Sequence, residues 1–131
     1  MLVEVMVPML IYRLRPTRER MLRAAEPLLT EPDEEFARQL GAIYRHIRLD
    51  AHLPRMATEE ELGGFDGPVA VFSAEDDPFF PREAVLARAR EIFPNLARAE
   101  CLKGCRQVPS REVFERVNEK IRAFLQGPYN P

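Results

Sequence analysis

Four consecutive apolar residues, Val69-Ala70-Val71-Phe72, stand between Gly67-Pro68 and the acidic run Glu75-Asp76-Asp77, and prolines follow at 78 and 81. A run this short, fenced by Gly and Pro, is too brief for a helix and reads as a buried strand. After Pro81, Val85, Leu86, Ala89, Ile92 and Phe93 recur at helical spacing until Pro94-Asn95, so a helix is expected over Arg82 to Phe93. Ala97 to Leu102 then reads as a second short strand. The helical span between the two strands suits a crossover and hence parallel pairing. Strand, acidic turn and helix deliver carboxylates to the carboxyl edge of a sheet, where open α/β folds place ligands. The expected fold class is therefore α/β.

The rest of the chain is read around this unit. Met1 to Tyr12 is almost wholly apolar; its β-branched residues favour strand, while a helix running into Pro8 is the other reading. Either way it needs cover from elsewhere in the protein. Arg13, Arg15, Arg18, Arg20 and Arg23 cluster without a Gly-rich loop or interleaved aromatics, which favours the solvated face of a helix from about Thr17 to Leu29 over a nucleic-acid patch. Met21, Leu22 and Ala25 would then point inward. Thr30-Glu31-Pro32-Asp33 reads as a helix start capped by Thr30, followed by an apolar stripe of Phe36, Leu40, Ile43 and Ile47. His46 and His52 lie at or beyond its end, with no partners for a metal site. Thr58-Glu59-Glu60-Glu61 is a capping box. Ser110 caps a last helix with Val113, Phe114, Val117, Ile121, Phe124 and Leu125 on one face.

Composition narrows the function classes. With 131 residues the chain has the size of about one domain, and its net charge of −2 supplies no field to attract nucleic acid or a membrane surface. Two cysteines make neither a disulfide framework nor a zinc site. Nothing approaches the roughly 18 apolar residues of a membrane span. The N-terminal stretch lacks the basic lead-in and cleavage site of a signal peptide, so a cytoplasmic location is expected. Glu75, Asp76 and Asp77 do not all face one point and lack further ligands, so no metal is expected, and no motif implies a cofactor.

The segment from Pro68 to Pro81 resembles the part of α/β-hydrolases that carries the acid of their Ser-Asp-His triad: an apolar strand, a small residue, polar residues, the Asp, then a Pro. Asp77 with Pro81 fits this pattern, and Asp76 is the neighbour that competes for the role; the plainer reading makes both of them loop acids before a helix. Leu102-Lys-Gly-Cys-Arg-Gln-Val-Pro109, followed by Val117-Asn-Glu-Lys-Ile-Arg-Ala-Phe-Leu125, is similar to the family's His-bearing loop and final helix. Thr58 to Leu62 resembles the run-in of some esterase- and dehalogenase-like members. The resemblance implies the C-terminal part of such a fold: a cap-like helical region over residues 1–57, then a β-α-β-α portion over 58–131.

The departures from that pattern are chemical. Gln107 stands where the family has its His, and glutamine cannot take a proton as an imidazole with a pKa of about 6.5 does. The Gly-x-Ser-x-Gly elbow is missing, since Ser73 and Ser110 lack flanking glycines and come too late in the chain. Cys105 lies beside Arg106 but has no nearby His, and is expected to be an incidental thiol. The implied function is a truncated or degenerate hydrolase of ester or related bonds, inactive alone, with Asp77 as a vestigial acid. The alternative is a non-catalytic interaction module. A homo-oligomer or a complementary hydrolase half is the expected partner, and a small ester would be a substrate only of the completed protein.

Overall fold

The computed structural model describes residues 2–46 and 57–127. Helix α1 spans Leu2–Leu14, so the strand that the β-branched residues favour is not formed, and the helix runs through Pro8 rather than up to it. A helix satisfies its own backbone groups, whereas a lone strand would leave them unpaired. Val5, Met9 and Tyr12 recur at spacings of four and three and are buried. Helix α2, Arg18–Ala25, starts where Thr17 accepts a hydrogen bond from the Arg20 amide. It ends earlier than its apolar pattern predicts, because Pro27 draws the chain into a 3-10 turn over Glu26–Leu28. The arginines face solvent: Arg18 pairs with Glu34, Arg23 with Glu19, and Arg20 donates to the Arg15 carbonyl.

Helix α3, Glu34–His46, departs from expectation at both its cap and its inner face. Asp33, not Thr30, accepts from the Phe36 amide at 2.8 Å. The buried residues are Ala37, Gly41 and Tyr44, while Phe36 and Leu40 are half-buried and Ile43 is exposed. The reason is close approach. Ala24, Ala25, Ala37 and Gly41 are all buried where these helices meet, and a Cβ on Gly41 would lie 2.9 Å from both Met21 Cγ and Tyr12 Oη. Small residues therefore hold the centre of the contact and the larger ones are pushed to its margin. Ile47 and His52 lie outside the described residues.

Helix α4, Glu59–Leu62, carries the expected capping box between Thr58 and Glu61. Strands β1, Val69–Ala74, and β2, Leu96–Leu102, pair in parallel with Val71 opposite Ala99 and Ser73 opposite Cys101. Helix α5, Arg82–Ile92, connects them and packs on both strands, burying Ala89 and Ile92. Helix α6, Arg111–Leu125, begins at Ser110, whose hydroxyl accepts from the Val113 amide. Its expected inner face is not closed: Phe114, Ile121 and Leu125 are exposed. β1 is likewise half-buried along most of its length, with Ser73 its buried residue. Both differences share a cause. Among the described residues the sheet has two strands, so one edge of β1 and part of the layer around it have nothing to pack against. No helix among the described residues is long and apolar enough to cross a membrane.

The loop after β2 ties the sheet to the helices. Val108 donates to the Leu28 carbonyl at 2.9 Å and accepts from the Thr30 amide at 3.0 Å, a single parallel bridge. The Thr30 hydroxyl donates to the Val108 carbonyl and accepts from the Arg106 amide, and the Arg106 guanidinium reaches the Glu26 carbonyl.

Candidate functional site

The carboxyl ends of β1 and β2 open into two turns that hold each other. Glu75 continues the ladder by donating its amide to the Leu102 carbonyl, and the Asp76 amide reaches the Cys105 carbonyl at 2.8 Å. Gly104 adopts φ of +63°, a left-handed conformation that glycine accepts without strain. That turn aims the Gly104 amide at the Glu75 carboxylate, 2.9 Å away, while the other oxygen of Glu75 pairs with Arg82 from the first turn of α5. The Gly104 amide first, and the Arg82 charge after it, hold the Glu75 carboxyl below its ordinary range. Arg82 also pairs with Glu83 and approaches the Cys101 sulfur at 3.8 Å; these contacts raise the pKa of a group already always charged.

Asp77 is half-buried and accepts from the amides of Phe79 and Phe80 at 2.8 and 3.0 Å. It thus closes the turn that leads through Pro81 into α5, the plainer of the two tasks the sequence allows. Glu26, Glu75, Asp76, Asp77, Arg82 and Arg106 line one open cleft of about 770 Å³, which Glu4 and Glu83 also border. Its lining carries more carboxylates than guanidiniums, so its net charge is negative. Gln107 is exposed and is not among the lining residues, although Arg106 is. The loop of Gln107 and the turn of Asp77 are joined by the Asp76–Cys105 bond rather than through those two side chains.

The remaining chemical candidates are placed structurally. Ser73 is buried in β1 with its hydroxyl on the adjacent Ala74 carbonyl, and Ser110 caps α6. Cys105 is buried, and burial pushes its thiol pKa up, away from a reactive thiolate. His46 ends α3 on the surface. Among the described residues no three His, Cys, Asp or Glu side chains are grouped to hold a metal ion.

Two residues that organise this edge escaped the sequence reading. Thr30 was expected to cap a helix and instead clamps the loop after β2, a long-range role with no local signal. The sequence assigns Glu75 no task within its acidic run, and in the structure it fastens the Gly104 turn. The glycine two residues beyond the strand end was the available clue.

No protein-family model matches the chain, and no curated protein matches it in sequence. In structure it is similar to naproxen esterase (carboxylesterase NP) from Bacillus subtilis, with a TM-score of 0.66 and 19% identity, covering 92% of this chain and 45% of that one. The likeness is one of fold, and it shows a hydrolase-like α/β arrangement. The chain spans less than half the length of that esterase.

Proposed function

We propose that this chain is the acid-bearing part of a degenerate α/β-hydrolase, descended from an enzyme of ester or related bond hydrolysis and inactive alone. In this reading residues 1–57 correspond to cap helices and 58–131 to the terminal β-α-β-α unit. Asp77 occupies the place of the triad acid and Gln107 that of the base. The observation that carries the reading is the fold likeness to an esterase over nearly the whole of this chain but under half of that one. The chemistry agrees with it. A triad needs a nucleophile, a base within hydrogen-bond reach and an acid that orients the base. The described residues offer a buried serine, a capping serine and a buried thiol held in its neutral form.

The test is turnover of a p-nitrophenyl ester by the wild type, Gln107→His and Cys105→Ala. Hydrolases stripped of triad residues keep roughly 10³- to 10⁴-fold catalysis over water from their oxyanion hole and binding site. Here all three proteins are expected to match buffer. Turnover that survives repurification and falls with Cys105→Ala would establish a cysteine nucleophile instead. Activity confined to Gln107→His would mean that a serine or water is already positioned.

The second reading is a non-catalytic interaction module. The exposed apolar side chains on α1 and α6 favour it, since such surface normally meets a partner.

A further inference from the structure

We draw no further inference here: the strongest candidate, the edge of β1 that has no strand beside it among the described residues, carries nothing because nothing in the structure shows what covers it.

Discussion

In the helical region, α1, α2 and α3 meet through small residues and enclose Val5, Met9, Tyr12 and Tyr44. Burial there is deep enough to push the Tyr44 hydroxyl up to about 12. In the β-α-β-α region Phe72, Phe79, Phe93 and Phe124 are only half-buried, and Phe114, Ile121 and Leu125 on α6, with Phe80 before α5, are exposed. The helical region also leaves large apolar side chains exposed, on the outer side of α1 and at Ile43, but it encloses several others, which the β-α-β-α region does for Ile92 alone among the described residues. Three helices with small residues at their crossings close a core by themselves, whereas a parallel sheet needs further strands or helices on its open sides. Among the described residues the two-stranded sheet thus gives its large apolar side chains less cover than the helices give theirs.

The contrast is sharpest for core truncations. Met9→Ala should cost about 2–5 kcal/mol in chemical denaturation, through lost burial and the cavity left behind. A loss under about 1 kcal/mol would mean that the helical core is looser than its burial implies. Next comes the seam between the regions. Thr30→Val removes a hydroxyl that bonds both Val108 and Arg106, and should cost about 1–3 kcal/mol. Amide exchange at Arg106 should quicken while that at Tyr44 does not; equal change at both would show that the regions are not separable.

Thr30 also marks what the sequence could convey. Elements with local causes were legible: the capping box at Thr58, the Ser110 cap, the Pro-bounded strand and the parallel crossover. Pairings that join distant segments were not. The inner face of α3 turned on the approach of Ala24, Ala25 and Gly41, which no periodicity of α3 itself reveals. The buried face expected for α6 had the right spacing and lacked anything to cover it. At the candidate site the acidic turn stood out in the sequence, whereas the fastening of Glu75 to Gly104 depends on two turns meeting in space.

Smaller effects refine the picture of the sheet edge. Ser110→Ala removes the α6 cap and should cost roughly 1 kcal/mol, read as a lower melting temperature. Glu75 is ionised below its ordinary range in the folded state, so its contribution is complete above the ordinary value and fades as the pH falls through the lowered one. The Gly104 amide resonance should therefore titrate with a midpoint below the usual glutamate value of about 4.3; a midpoint at that value would contradict the pairing. Phe114→Ser should shift stability by no more than about 0.5 kcal/mol, because the ring is exposed. A loss as large as that of Met9→Ala would place Phe114 in a core.

The open edge of β1 can be read amide by amide. Val69 and Glu75 donate toward β2, to Asn95 and Leu102, so by the alternation of a strand the Val71 and Ser73 amides point the same way. The amides of Ala70, Phe72 and Ala74 point to the side where, among the described residues, no strand lies. Hydrogen exchange of these six residues from Ala70 to Glu75, measured on dilute protein, is the direct test. The expected result is an alternating pattern, with Val71, Ser73 and Glu75 protected and Ala70, Phe72 and Ala74 exchanging fast. Uniform protection of all six in the monomer would show that the edge is covered and that the sheet is complete without a partner.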